Sequence, residues 1–484
     1  MNSGSDILAV LPELLVLVGA IAALLSGSFL PRNRQVVARW IAISALLASA
    51  VAAAVGMTTP AGAIFEASFA VDAGSGFARI IIVLATTFVI VLGAGELSGT
   101  RRESETYALL LLAALGAMVL SGASDLLILV TGYLLASIPL YALIGMNRTS
   151  QAAEAAMKTY LLGALLGITM MLGVAVLYGV GGGTSYRQLE VALTHAPAAA
   201  VAVGLVGVLG GLMFKAGGVP GHFWIPDATQ AAGTAAAAFL TTVPKIGALI
   251  AAYRLVDILP GSIDWPLLVG LLAAASMTLG NFAAFWQDDV RRLLGWSTVS
   301  QVGYLLLPVA VAGRAELALP ALLLYLSGYA ATNLTAFAVV AALPSRRALA
   351  DYRGVARDHP WLAGALVVSL LGLVGTPPTV VFVGKLTIFT AAWDGGLVWL
   401  VIVAVVNTVA SLFYYLRWLA PMFSRAPAHP RQPGSKADAP APVETASERR
   451  PRSTGVALVG ALAILTMGLA SGAIISMAES TLAH

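Results

Sequence analysis

The chain contains no cysteine. Disulfides, thiolate zinc sites and iron–sulfur clusters held by its own thiols are therefore excluded. Histidine is scarce as well. The five present (His195, His222, His359, His429 and His484) are scattered, with no two on one helical face, which argues against haem ligation. Charge is the third shortage: 10% of residues are charged, against about 25% in soluble domains. What is there instead is apolar, with 59% hydrophobic residues and a mean hydropathy of +0.89. A soluble core does not absorb that much apolar surface, so the expected class is an all-α polytopic membrane protein. The first apolar run, Ile7 to Leu30, is longer than a signal-peptide core and has no basic residue before it, so it reads as a retained helix.

Apolar runs of about 20 residues give about fourteen transmembrane helices. They lie near 7–30, 36–58, 75–96, 106–122, 124–146, 156–180, 198–217, 234–254, 266–286, 291–312, 317–343, 361–391, 396–421 and 455–478. Basic residues test the count. With the N-terminus outside, the inner connections carry Arg32 and Arg34, Arg101 and Arg102, Arg148 and Lys158, Arg291 and Arg292, Arg346, Arg347, Arg353 and Arg357, then Arg417 to Arg452. The outer ones carry only Arg187, Arg254 and Arg314. This is the positive-inside bias at nearly every loop, and a wrong count would scramble it. An even number of spans with both termini outside follows. The net charge of +4 is then a matter of topology and calls for no nucleic acid.

Residues 424–453 are rich in Pro, Ala and charge and read as a disordered cytoplasmic linker before a last helix at 454–484. Before the linker, the expected units are residues 1–105 (helices 1–3), 106–255 (helices 4–8) and 256–423 (helices 9–13).

Few charges fall inside spans: Lys215, Lys245, Lys385 and, near the start of span three, Arg79. A lone ammonium at mid-bilayer costs roughly 2.5–3.5 kcal/mol on insertion scales. Lys215 sits just before a helix breaker, Gly217-Gly218-Val-Pro220-Gly221, and Lys385 just after another, Gly375-Thr-Pro377-Pro378-Thr379. Broken backbone at membrane depth is tolerated where buried protein or water satisfies it. The two broken helices, seven and twelve, are five spans apart, and an odd offset reverses direction. Helices 4–8 and 9–13 are thus expected to form two inverted five-helix repeats, and paired breaks point to a transport site. Protons suit the residues, because an amine's proton affinity responds to burial and to an approaching carboxylate. Lys215, Lys245 and Lys385 can form a relay, with His222 as a further titrating group or simply a surface residue beside Trp224. A structural lysine bonded to carbonyls of the broken helix is the other reading of Lys215. Among carboxylates, Asp125, Glu154, Glu105 and Asp288-Asp289 lie at span ends, where capping competes with a functional role.

The segment Phe214-Lys215-x-x-x-Val-Pro220-x-His222-x-Trp224-x-Pro226-Asp227, with Val-Pro244-Lys245, resembles the signature of the antiporter-like membrane subunits of respiratory complex I and the related multisubunit cation/proton antiporters. Glu154-Ala-Ala-Met-Lys158, Ser137-Ile-Pro-Leu-Tyr141, Arg292-Leu-Leu-Gly-Trp-Ser and Gly375-x-Pro-Pro-Thr-x-x-Phe-x-Gly-Lys385 extend the likeness over about residues 7–420, closest to the members in bacterial NADH–quinone oxidoreductase. The resemblance implies a proton-translocating subunit driven by quinone reduction elsewhere in the complex, so a subunit of a translocase with no redox centre of its own. Quinone, flavin and iron–sulfur clusters are expected on other subunits. The partners implied are other membrane-arm subunits and membrane lipid, in an obligate hetero-oligomer of the bacterial plasma membrane. Carried over by motif, Lys215 is the proton-switching lysine of the first repeat, Lys245 the central relay lysine and Lys385 the exit-side lysine. Lys158 matches a lysine at the inner end of span six.

The chain departs from the family twice. Where the family reads Gly-Leu-Glu-Leu-Leu-Ser-Leu-Pro, this chain reads Gly132-Tyr-Leu134-Leu-Ala-Ser137-Ile-Pro139, so the helix-five glutamate is lost at Leu134. Glu154 or Glu105 are the candidate substitutes. Gln301 stands where a histidine is common. The alternatives left open are a subunit of a sodium/proton antiporter, a non-pumping structural paralogue and, more distantly, a single-chain transporter of a small solute.

Overall fold

A computed structural model describes residues 3–424 and 451–478. The linker expected at 424–453 lies, from 425 to 450, outside the described residues. The order is α1 (Ser3–Ala9), α2 (Leu11–Phe29), α3 (Val36–Gly56), a short hairpin of β1 (Gly62–Ile64) and β2 (Phe69–Val71), α4 (Ala73–Leu97), α5 (Glu103–Gly122), α6 (Leu126–Gly145), α7 (Ser150–Gly181) and α8 (Tyr186–Ala192). Then come α9 (Ala198–Ala216), α10 (Trp224–Ala231), α11 (Thr234–Asp257), α12 (Trp265–Ala284), α13 (Val290–Val309), α14 (Ala318–Ala342) and α15 (Val355–Asp358). The chain continues with α16 (Pro360–Val374), α17 (Val380–Asp394), α18 (Val398–Phe423), α19 (Pro451–Leu469) and α20 (Ser471–Ala478).

Eleven of these helices are long and apolar enough to cross a membrane alone, and α19 with α20, bent by 70°, makes twelve. Two of the expected spans fall elsewhere. One is α13, which is long enough but carries Arg291, Arg292, Ser297, Thr298, Ser300 and Gln301. The other is split into α16 and α17, of 15 residues each, or about 22 Å apiece, short of a hydrocarbon core of about 30 Å. The breaks expected in spans seven and twelve are both present, between α9 and α10 and between α16 and α17.

Burial sorts the helices. Every residue of the apolar stretch of α11 is buried, and 89% of that of α14, against a third for α2, α7 and α18. The last three expose rows of Leu, Ile, Val and Phe, as lipid-facing helices do. So α11 and α14 are the axis, and both breaks pack beside them. Buried ion pairs tie the N-terminal helices down. Arg79 Nε donates to Glu13 Oε1 at 2.7 Å, Arg39 meets Glu103 at 3.3 Å, and Arg254 holds Asp72 with two bonds of 2.8 and 2.6 Å. Losing one partner of such a pair typically costs about 3–5 kcal/mol, since it strands a charge.

Candidate proton path

Helix α9 ends because Gly217 adopts a left-handed conformation, φ 81°, which costs glycine little and other residues about 1–2 kcal/mol. Its amide and that of Gly218 both reach Met213 O, at 2.8 and 2.9 Å. The Trp224 indole donates to Phe214 O at 3.1 Å, so the broken end is closed by the side chain that opens α10. The second break repeats the device. Gly375 has φ 92°, and its amide and that of Thr376 reach Leu371 O at 3.0 and 3.1 Å. Three residues past each glycine stands a cis proline, Pro220 and Pro378, the latter preceded by Pro377.

The three lysines are buried, Lys215 and Lys245 at 0% exposure and Lys385 at 3%. Among the described residues, none has a carboxylate oxygen within 4.0 Å. Lys215 Nζ donates to Ser137 Oγ at 2.5 Å and lies 5.0 Å from the centre of the Tyr133 ring and 5.9 Å from that of Phe214. Lys385 Nζ donates to Val374 O at 2.8 Å, meets Thr408 Oγ1 at 3.3 Å and lies 4.1 Å from the centre of Tyr304. Among the described residues, Lys245 Nζ has no hydrogen-bond partner. A methyl group built on Gly217 would lie 3.6 Å from it, so this amine faces the first break.

Between Lys245 and Lys385 runs a lane of buried hydroxyls and amides. Asn333 Nδ2 donates to Thr241 Oγ1 and Thr242 Oγ1 at 3.0 and 2.9 Å. Tyr329 donates to Thr241 O at 2.7 Å and meets Thr298 Oγ1 at 3.1 Å. Tyr325 donates to Gln301 Oε1 at 2.5 Å, and Gln301 Nε2 to Leu373 O at 3.0 Å, one residue from the carbonyl that holds Lys385. Gln301, noted in the sequence only as a departure, thus sits at the junction of α13, α14 and the second break. Thr408 Oγ1 pairs with the Tyr304 hydroxyl at 3.1 Å. Buried polar networks of this kind rigidify when their members are satisfied.

The other candidates are dispersed. His222 is 2% exposed, its ring 4.1 Å from Phe223 and 5.7 Å from Trp296. Glu154 and Lys158 pair at 2.7 Å on the exposed end of α7. Lys158 also reaches Asp227 at 3.0 Å, and Asp227 reaches Arg292 at 2.5 Å. These four line a cavity of about 80 Å³, remote in its contacts from Lys215. Glu105 is exposed, while Glu103, two residues earlier, is buried against Arg39. Leu134 is 38% exposed, on the outer side of α6, and Tyr133 and Ser137 are the α6 residues that meet Lys215. Among the described residues, no group of three or more His, Cys, Asp or Glu is placed to hold a metal.

The family described as NADH:quinone oxidoreductase/Mrp antiporter, transmembrane, matches residues 123–411. Over 416 residues the chain is 58% identical to NADH-quinone oxidoreductase subunit N of Mycobacterium sp. (strain JLS), covering 85% of this chain and 88% of the relative. The chain belongs to the NADH-quinone oxidoreductase subunit N family. It is 49% identical to subunit N 1 of Streptomyces griseus, covering 98% of each. A chain of respiratory complex I from Thermus thermophilus matches with a TM-score of 0.81 at 30% identity, over 97% of this chain and 100% of that one. A chain of the Mrp complex from Dietzia sp. has a TM-score of 0.82 at 23% identity, over 99% and 97%, which shows a shared fold. The resemblance read from the motifs is therefore confirmed at the level of family.

Proposed function

We propose that protons cross this chain along the line Lys215, Lys245, Asn333 with Thr241 and Thr242, the α13–α14 hydroxyls, Gln301 and Lys385. The chain is a proton-translocating membrane subunit of an NADH–quinone oxidoreductase and so part of a translocase. One observation carries the route: three buried amines with no carboxylate oxygen within 4.0 Å among the described residues, and buried hydroxyls and amides able to pass a proton set between Lys245 and Lys385. Hydroxyl, carbonyl and ring contacts offset only part of the cost of burying Lys215 and Lys385, and a purely structural role gives no reason to bury Lys245. Helices of the two sets, α5–α11 and α12–α18, would form the inverted repeats, each with its fourth span broken at a left-handed glycine. Both termini would lie outside. Redox cofactors would sit on neighbouring membrane-arm or peripheral subunits, in a hetero-oligomer embedded in bilayer lipid of the bacterial inner membrane, with no nucleic acid. The antiporter reading rests on the fold alone, whereas the subunit N reading rests on sequence identity.

The test is Lys215→Met and Lys385→Met, each in the assembled complex in membrane vesicles. The route requires proton uptake per electron pair to fall in both. Uptake unchanged in both would overturn it and leave a scaffold.

A further inference from the structure

Helix α10 passes into α11 through two extended residues, Ala232 and Gly233, with ψ of 165° and 155°. Side chains from three other elements grip this link. Asn147, in the connection after α6, donates to Ala231 O at 3.1 Å. Arg291 of α13 donates to Ala232 O at 2.8 Å. Glu96, near the end of α4, accepts from the amides of Thr234 and Ala235 through its two oxygens, at 3.1 and 3.3 Å. Gly93, one turn before Glu96, lets α11 come so near that a methyl group there would lie 2.6 Å from Ala235 Cβ.

These grips line a polar cavity of about 210 Å³ on the face that carries the arginine-rich connections. Its charged lining residues are Arg291, Arg346, Arg347 and Glu96, so among them Glu96 is the single acid. Val340 of α14 also lines it. Two turns deeper on the same stripe of α14 stands Asn333, fully buried, with Oδ1 lacking a partner and its amide on Thr241 and Thr242 of α11. Lys245 follows three and four residues on, on the same face. Cavity, Glu96, Asn333 and Lys245 thus lie along one seam between α4, α11 and α14. The helix rise puts the Thr234 amide about 16 Å from Lys245.

We propose that Glu96 is a positioning residue whose carboxylate, on the basic face, fixes the start of the Lys245 helix. Its two oxygens sit on the positive end of α11, where a carboxylate is favoured. Without that charge the α10–α11 link, the joint between the first break and the relay lysine, loses one of its three grips. The inference rests on the relay described above and adds the carboxylate that positions its central helix.

The experiment uses the assembled complex in membrane vesicles, with subunit content checked. Glu96→Gln keeps an oxygen for the α11 amides but cannot ionise, and Glu96→Asp keeps the carboxylate on a shorter stem. If charge matters, Glu96→Gln slows proton uptake per turnover by roughly threefold, the scale of one helix-terminus charge interaction, and Glu96→Asp restores at least part. If Glu96 is only a cap, Gln matches the unsubstituted complex or exceeds Asp, and the proposal is overturned. Should Glu96→Gln fail to assemble, Glu96→Asp decides alone: an unaltered pH profile of proton uptake overturns the proposal, and a shifted one supports it. Lys245→Met separates the two levels. A loss there with an unaffected Glu96→Gln sinks this inference and leaves the relay; no loss there sinks the relay itself.

Discussion

The two breaks are built alike and used differently. Each ends a helix on a left-handed glycine, at 81° and 92°, and each is followed by a cis proline three residues on. At the first break the lysine precedes the glycine, on α9, and its amine turns away to a side chain, Ser137. At the second it follows the glycine, on α17, and its amine turns back to the break itself, at Val374 O. The carbonyl end of a helix carries partial negative charge, so Lys385 is held by the backbone dipole of α16. The corresponding end of α9 is capped by Trp224 and faced by Lys245, an amine from another helix with no partner of its own. The same break therefore serves an anchored amine in one half and an unanchored one in the other. In the proposed line Lys245 is thus the amine without a hydrogen-bond acceptor among the described residues.

Closure also differs. The second break is covered by α19, where a side chain on Gly468 would meet Pro378 O at 2.1 Å. The last helix thus packs over the second break and against α14, α16 and α17.

The comparison can be broken in order of expected effect. Lys385→Met removes the anchored amine and interrupts the line, so the coupled quinone reductase rate should fall about tenfold or more, roughly 1.4 kcal/mol in barrier, with assembly retained. A Gly468→Leu substitution drives a side chain into the second break only. Assembly or thermal stability should drop by about 1–3 kcal/mol, seen as a lower midpoint in melting of the purified complex, while the matching step at the first break is untouched. Gly217→Ala and Gly375→Ala each force alanine into a left-handed backbone, costing about 1–2 kcal/mol. Gly217→Ala should cost more, because its methyl group meets Ile225 at 2.7 Å inside a buried site. Equal melting shifts would contradict that ranking. Smallest, Ser137→Ala leaves Lys215 with aromatic faces alone and should change proton uptake by a few-fold at most, in line with about 1 kcal/mol for one hydrogen bond.

Much of this was legible in the chain. Glycine and proline marked both breaks because their backbone preferences are local, and the lysines stood out because charge is rare in such spans. The family followed from those motifs. Partnerships across the chain were not legible. Arg79 reads as a stray charge until Glu13, 66 residues away, is seen against it. Arg254 reads as a loop residue, yet it is buried on Asp72, 182 residues away. Glu105 was a candidate, while the buried carboxylate is Glu103, since a two-residue step on a helix turns the side chain to another face. Glu96 ended an apolar span and passed as an ordinary terminus. Leu134 is the instructive case: the sequence shows that a glutamate is missing there, but not that Ser137, one turn on, is the α6 side chain that bonds the Lys215 amine.

The most direct test is proton uptake per electron pair in vesicles carrying Lys245→Met in the assembled complex. The account predicts a lower ratio than in the unsubstituted complex, because the proposed route passes from one half to the other through Lys245. An unchanged ratio with full assembly would contradict it.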